Sequence, residues 1–281
     1  MTCTITPDQV AARVRDLPPL PSILMELIGS LGNENISSET VANKLSQDLG
    51  LSAKTLRMAN SSFFGMTRQI GSIPDAMAVL GLRAVRTLVL TAGLMDAFKQ
   101  VEGVGFDFKA FWRHAVGAGL CGRLMARDMG MDSDIGFTVG LLHDIGTLAL
   151  VSLFPEQYGR ALTWQRQNDL LLIDAEKAVL GTDHAEVGAV LLERWHFSPV
   201  VVEAIAHHHA PAMHHGPGLV GLAHLADAFA HALGLSGQDN EAVSPTPAEI
   251  WGAMAPSSDK CLALLAEVED QFDDVCLALQ V

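Results

Sequence analysis

Histidine and aspartate residues recur in the second half of the chain in a pattern that suits metal binding. Imidazole and carboxylate groups are ligands for iron, manganese, zinc and nickel. No structural need explains an adjacent histidine and aspartate after a long apolar segment. The candidate ligands, in chain order, are His114, His143, Asp144, His184, His208, His209 and Asp227. This set predicts a divalent-metal site.

Two pairs of neighbouring residues in this set predict that the site holds two ions. Adjacent residues on a helix point about 100° apart, so Asp144 can bridge two ions while His143 binds one of them. A His-His pair at the end of a helix can serve two ions in the same way, and the residue types leave open which two of His207, His208 and His209 do so. Two ions about 3.5–4 Å apart polarise a phosphoryl oxygen and generate a bound hydroxide.

The remaining histidines are interpreted as packing or surface residues. His196, His214 and His215 stand outside the ordered set. His224 and His231 lie three residues before and four residues after Asp227, on the same face of a predicted helix. They either support Asp227 or face solvent, and the second interpretation is favoured.

The elements that must position these ligands are predicted to be helices. Helix-start signals occur at Thr6, Asp183, Ser198 and Thr246, where a capping side chain or a proline at the first helical position is present. The stretch 86–94 is rich in β-branched residues, but its flanks have helical spacing, so it is predicted to be buried helix. We therefore predict an all-α fold.

The breaks in helical patterning divide the chain into three parts. Flexible segments at 100–108, 212–218 and 234–247 predict loops. We expect an N-terminal helical bundle over 1–103, a second bundle that carries the site over 104–235, and a C-terminal helical extension over 246–281. The extension has an apolar stripe that predicts packing on the domain or a homodimer contact. The stripe comprises Leu262, Leu265, Val268, Phe272, Val275 and Leu279.

Composition excludes several classes of function. A formal net charge of −14 disfavours nucleic-acid binding. The segment 37–60 has the spacing of a helix-turn-helix, with a turn at Gly50 and a second helix from Ser52, but few basic residues. No uncharged apolar run is long enough to predict a transmembrane helix, and the four cysteines are scattered, as in reduced cytoplasmic proteins.

Two groups of motifs carry a family resemblance. The sequence HDIG at 143–146 resembles the HD superfamily of metal-dependent phosphohydrolases, and the ordered ligand set resembles the HD-GYP branch, which cleaves cyclic di-GMP. In the first half, LPPLPSILMELI at 17–28 and NSSFFGMTRQIGSIPDAMAVLGLRAVRTLVL at 60–90 resemble the HDOD family. HDOD is the HD-related output domain of bacterial signalling, and the resemblance covers roughly residues 17–235.

The HDOD resemblance implies a helical signalling module, and many such modules have lost the catalytic residues of HD enzymes. This chain retains all seven candidate ligands. It departs from the HD-GYP pattern at Thr147, where that branch has a lysine, and it lacks a Gly-Tyr-Pro segment after His209. It departs from the HDOD pattern at 48–51, where a proline commonly follows the aspartate.

Two functional hypotheses follow. The leading one is a cytoplasmic HDOD signalling module that binds divalent metal, hydrolyses little or no cyclic di-GMP, and acts through a signalling protein partner or a small ligand. Phe63, Phe64 and Met66 are the interaction candidates, with core packing between the two bundles as the alternative. The rival hypothesis is a metal-dependent phosphohydrolase that acts on a nucleotide or a phosphorylated small molecule.

Overall fold

The fold is all-α, as predicted. The computed structural model describes residues 4–29, 38–98, 105–211, 218–238 and 241–281, and no β-strand occurs among them. The α-helices are α1 (Pro7–Arg13), α2 (Ser22–Gly29), α3 (Ser38–Gln47), α4 (Leu49–Ala59), α5 (Ile73–Ala97), α6 (Phe108–Asp128), α7 (Ser133–Leu142), α8 (Ile145–Leu153), α9 (Pro155–Asn168), α10 (Leu172–Leu180), α11 (His184–Arg194), α12 (Pro199–His207), α13 (Leu219–Ala232), α14 (Ala248–Met254) and α15 (Ser258–Leu279).

Local side-chain bonds explain where several helices begin. Thr6 and Gln9 form the predicted capping box at the start of α1, and Asp183 accepts the backbone N–H of Glu186 at 2.8 Å to cap α11. The predicted cap at Thr246 is wrong, because its hydroxyl lies 3.1 Å from Nε2 of His224 and α14 begins without a side-chain cap.

Helix α5 includes the stretch 86–94, so the prediction of buried helix is confirmed. It is kinked at Gly81, whose φ of 83° suits glycine. By length and hydropathy alone, Ile73–Ala97 and the combined segment Ser133–Leu153 could each cross a membrane. However, 67% and 83% of their most apolar windows are buried within the protein, as in core helices of a globular fold.

The first half of the chain is a bundle in which α2, α3 and α4 pack on α5. Helix α4 begins at Leu49, because Asp48 accepts the N–H of Leu51 at 3.0 Å. The predicted turn at Gly50 is therefore wrong, since that residue lies inside α4. Helices α6 to α13 form the second bundle, and one contiguous hydrophobic core runs through both. The predicted boundary at 103 and most of the predicted loop at 212–218 lie outside the described residues.

The C-terminal helix α15 packs on α6 and α4. Val268, Phe272 and Val275 of the predicted stripe are buried, and the guanidinium of Arg113 lies 4.7 Å from the ring centroid of Phe272. Leu262 does not follow the stripe, because it is 69% exposed. The helix therefore packs on the domain along its C-terminal part.

The turn that follows α4 contains the three interaction candidates. Phe63 is buried and makes an edge-to-face contact with Phe137 of α7, with ring centroids 5.0 Å apart. The guanidinium of Arg123 lies 4.2 Å from the ring centroid of Phe63 and 5.2 Å from that of Phe64. Phe64 is half-buried and Met66 is 38% exposed. Phe63 is thus a core residue, whereas Phe64 and Met66 reach the surface.

Candidate metal centre

The seven predicted ligands lie at the ends or on the inner faces of helices in the second bundle. His114 is on α6, and His143 and Asp144 occupy the junction between α7 and α8. His184 is the first residue of α11. His208 and His209 follow α12, and Asp227 is on α13. The fold therefore brings residues separated by more than one hundred positions into one cluster.

Asp144 stands between two sets of imidazoles. Its Oδ2 lies 3.4 Å from Nε2 of His143, and its Oδ1 lies 3.1 Å from Nε2 of His184 and 3.6 Å from Nε2 of His208. Each carboxylate oxygen thus faces a different set. This placement is the one that a carboxylate bridging two ions requires.

The first set, which we call the His114 group, comprises His114, His143, Asp144 and Asp227. Oδ1 of Asp227 lies 3.1 Å from Nε2 of His114 and 3.4 Å from Nε2 of His143. The two imidazole Nε2 atoms lie 3.1 Å apart. One donor atom from each of His114, His143 and Asp144 lies within 4.8 Å of the other two, so these three could hold an ion. Asp227 adjoins them through its contacts with both imidazoles.

The second set, which we call the His184 group, comprises Asp144, His184, His208 and His209. The Nε2 atoms of His184 and His209 lie 2.8 Å apart. Nε2 of His208 is buried and makes no hydrogen bond within the described part of the chain. His207 belongs to none of the metal-binding groupings of these residues, so His208 and His209 are the pair that faces the centre.

Hydrogen bonds behind the imidazoles turn the ligand nitrogens inward. Nδ1 of His143 donates to the carbonyl oxygen of Gly140 at 2.6 Å, and Nδ1 of His208 donates to that of Ile205 at 2.7 Å. Nδ1 of His184 donates to Oε2 of Glu176 at 2.6 Å. A proton held on Nδ1 leaves the Nε2 lone pair for a metal, as in the carboxylate–histidine pairs of known metal sites.

The electrostatics of the cluster also suit a cation. Burial lowers the pKa of His143, but the carboxylates of Asp144 and Asp227 outweigh burial and raise it to about 10. Burial raises the pKa of Asp144, but His143 and His184 hold it well below its usual range. Asp144 is therefore anionic, and a divalent cation among these atoms would replace the protons that the imidazoles hold.

Gly146 of the HDIG motif permits the close approach of α8 and α11. A Cβ atom at this position would lie 2.0 Å from the carbonyl oxygen of His184 and 2.5 Å from the backbone nitrogen of Gly188. A larger residue would push α11 away and move His184 from Asp144. Glycine at this position is therefore required by the geometry of the His184 group.

The cluster forms the floor of an open cavity of about 740 Å³. Ligands from both groups border it, including His114, Asp144 and His209. The walls are mixed in character, with aromatic, polar and charged side chains. They include Phe106, Phe111, Gln165, Arg166, Ser236 and Gln238. A small molecule in this cavity would have direct access to both ligand groups.

Comparison with known proteins assigns the fold that carries this centre. The HDOD domain family model matches residues 17–211, well over half of the chain. The chain belongs to the HDOD family. A crystal structure of an HDOD domain protein of unknown function from Geobacter sulfurreducens superimposes with a TM-score of 0.78, over 97% of this chain and 98% of that one. The two are 24% identical, so this likeness shows the fold alone.

Two further proteins are similar to this HDOD chain over most of its length. A protein from Shewanella amazonensis, proposed to be a phosphohydrolase, is 30% identical, with a TM-score of 0.76 over 96% of this chain and 97% of that one. A protein of Treponema pallidum is 28% identical over 202 residues, which cover 71% of this chain. The match spans only 39% of the length of the Treponema protein.

The HDOD fold places two histidines differently from the sequence-based interpretation. The favoured prediction that both face solvent is wrong for His224, which is buried, whereas His231 is partly exposed and contacts Asp227, the alternative that the spacing left open. His224 is 1% exposed, and its Nδ1 lies 2.8 Å from the carbonyl oxygen of His208. Nε2 of His231 lies 3.2 Å from Oδ1 of Asp227. Their spacing around Asp227 indicates that both lie on its side of α13, because residues three and four apart share a helical face.

For other residues around the centre, the sequence gives a weaker indication of their position or none. Glu176 is buried and binds both the backbone N–H and the imidazole of His184, but nothing in its local sequence distinguishes it from a surface acid. His196 is exposed at a turn, as expected for a residue outside the set. His214 and His215 lie outside the described residues.

Proposed function

We propose that this HDOD protein binds two divalent metal ions at the centre and hydrolyses a phosphate ester of a nucleotide or another phosphorylated small molecule. The observation that carries the proposal is the position of the two ligand groups, joined by Asp144, on the floor of an open cavity. Structural metal sites are usually closed, whereas catalytic sites keep a position for water or substrate. The likeness to the proposed phosphohydrolase of Shewanella amazonensis supports this reaction class.

Each part of the centre has a distinct task in the proposed reaction. Asp144 offers one carboxylate oxygen to each group, and the imidazoles together with Asp227 supply the remaining ligands. Two bound ions would polarise the phosphoryl oxygen and lower the pKa of a bound water. Phe106 and Phe111 provide an apolar wall for the organic part of the substrate. Iron, manganese, zinc and nickel all suit this mixture of donors.

The cavity walls favour a small substrate over a cyclic dinucleotide. Arg166 is the only lysine or arginine among the described residues that border the cavity. Thr147, which stands where HD-GYP proteins have a lysine, is buried and neutral. Loss of one such electrostatic stabiliser commonly costs about 10²–10³ in rate. We therefore expect metal-loaded protein to turn over cyclic di-GMP far more slowly than once per minute, as measured by chromatography of the products.

The test of the proposal combines metal analysis with a substrate screen. The purified protein is expected to hold two ions per chain, measured by inductively coupled plasma mass spectrometry. It is then assayed on p-nitrophenyl phosphate, bis(p-nitrophenyl) phosphate and a panel of nucleotides. Turnover that disappears in Asp144→Ala supports the proposal. Two bound ions without turnover of any substrate would overturn the hydrolase and favour a signalling module whose metal is structural.

A signalling module is the second candidate function, and the surface of the first bundle favours it. Phe64 and Met66 reach the surface beside the buried Phe63, where a signalling protein could dock. The cavity offers an alternative site for a small regulatory ligand. Leu262 and Leu277 of α15 are 69% and 74% exposed, so a homodimer through this helix also stays a proposal. Sedimentation analysis at several protein concentrations distinguishes the dimer from the monomer.

A further inference from the structure

His231 lies beside the His114 group without belonging to the predicted ligand set. It is on α13, four residues after Asp227, and its ring centroid is 4.2 Å from that of His114. Its Nε2 lies 3.2 Å from Oδ1 of Asp227. Its side chain is 27% exposed and borders the cavity. His231 is therefore the imidazole that approaches this group from the solvent side.

The donor separations around Asp227 are those of a metal coordination sphere. Ligand atoms about 2.1 Å from an ion and roughly 90–110° apart lie about 3.0–3.4 Å from one another. Oδ1 of Asp227 is 3.1 Å from Nε2 of His114 and 3.2 Å from Nε2 of His231. One donor atom from each of these three residues lies within 4.8 Å of the donor atoms of the other two.

A carboxylate behind His231 holds the imidazole in the orientation that a ligand needs. Nδ1 of His231 is hydrogen-bonded to Oε2 of Glu241. The other oxygen of Glu241 accepts the backbone N–H of Ser236 at 3.2 Å, which ties the carboxylate to the segment after α13. Glu176 holds His184 in the same way. Outer carboxylates of this kind orient metal-ligating histidines and raise their basicity.

We infer that His231 is an eighth metal ligand, which binds an ion together with His114 and Asp227, and that Glu241 is its positioning residue. The inference rests on the proposed function only in requiring that the centre binds metal. It does not require hydrolysis. It also assigns a role to the segment after α13, because Glu241 of that segment sets the position of a ligand on the cavity side.

The test measures cobalt(II) binding and absorption in four proteins. We expect the wild-type protein to bind two cobalt ions, and His231→Ala to bind one of them at least about tenfold more weakly, with altered visible d–d bands. Glu241→Gln is expected to lower the affinity for the same ion by roughly 10–100-fold, the usual effect of removing an outer carboxylate. His196→Asn removes an exposed imidazole where φ is 62°, a conformation that asparagine tolerates. It is the matched control and is expected to match the wild type.

The possible results separate this inference from the hydrolase proposal. Circular dichroism confirms that each variant is folded before metal is added, and Glu241→Gln retains the shape of the side chain if His231→Ala unfolds. Unchanged affinity and spectra in both variants, with two ions bound to the wild type, would overturn the role of His231 alone. Failure of the wild type to bind any ion overturns both proposals. Metal binding without hydrolysis leaves the role of His231 intact and overturns the hydrolase.

Discussion

The two ligand groups share Asp144 but hold their other ligands in different ways. In the His184 group, the Nδ1 atoms of His184 and His208 are bonded to fixed acceptors, Glu176 and the carbonyl of Ile205. In the His114 group, Nδ1 of His114 is buried without a hydrogen-bond partner in the described part of the chain, and so is Oδ2 of Asp227. Nδ1 of His143, also in the His114 group, is bonded to the carbonyl oxygen of Gly140. Within the described residues, hydrogen bonds from behind therefore hold two imidazoles of the His184 group and one of the His114 group.

This difference indicates which ion is bound more tightly. Ligands held in place before binding lose less conformational freedom, so a preorganised group binds with less cost. We therefore expect the His184 group to retain its ion at chelator concentrations that remove the ion of the His114 group. The comparison also gives His231 a role, since it adds to the less organised His114 group an imidazole that Glu241 holds in place.

The largest effect is expected for Asp144→Ala, because Asp144 contacts both groups. We expect the variant to lose both ions and all metal-dependent hydrolysis, whereas the control His196→Asn keeps both. Metal content is measured after purification and after titration with a chelator. Chelation should lower the melting temperature of the wild type, since an ion that binds only the folded state stabilises it. Equal metal content in Asp144→Ala and the control would show that the centre is misassigned.

The next largest effect tests the His184 group directly. Glu176→Gln weakens the acceptor of the His184 imidazole, so we expect roughly 10–100-fold lower affinity for the ion of the His184 group alone. Glu186→Gln is the matched control, because Glu186 lies on α11 but is exposed and bonded to Thr182. Competition with a chromophoric chelator gives the two affinities separately. If Glu176→Gln instead lowers the affinity for the ion of the His114 group, the assignment of the two groups is wrong.

A smaller effect is expected for Gly146→Ala, which tests the backbone beneath the His184 group. The added Cβ would lie 2.0 Å from the carbonyl oxygen of His184, so α8 and α11 must separate. We expect a loss of about 1–3 kcal/mol in the free energy of unfolding and weaker binding at the His184 group. Gly252→Ala, at an exposed position of α14, would place a Cβ with no atom within 4 Å and is the control. Denaturant titration measures both variants, and equal stabilities would contradict the packing argument.

The sequence predicted the fold and the cluster because both depend on repeated or ordered patterns. Helical spacing, capping residues and the order of His114, His143, Asp144 and the later ligands are visible along the chain. These features are local, or are arranged in a fixed order, so a single sequence is enough to see them.

The supporting residues could not be predicted in the same way. Glu176 on α10 and Glu241 after α13 act through tertiary contacts with the imidazoles of His184 and His231. Thr246 has the signature of a helix cap, yet its hydroxyl meets His224 instead. An acid or a hydroxyl has many possible partners, and sequence spacing does not choose among them. Tertiary contact decides these cases, whereas local propensity decides the helices.

The smallest effect on the centre is expected from Phe64→Ala, which changes the surface of the first bundle. Phe64 is half-buried, whereas Phe63 is buried against Phe137, so we expect Phe63→Ala to cost about 3–5 kcal/mol and Phe64→Ala clearly less. Neither variant should change metal affinity while it stays folded, because neither residue belongs to the metal-binding groupings or borders the cavity. Thermal melting and metal titration check both expectations. If Phe64→Ala is as destabilising as Phe63→Ala, then Phe64 is a core residue and the predicted docking surface at this turn is wrong.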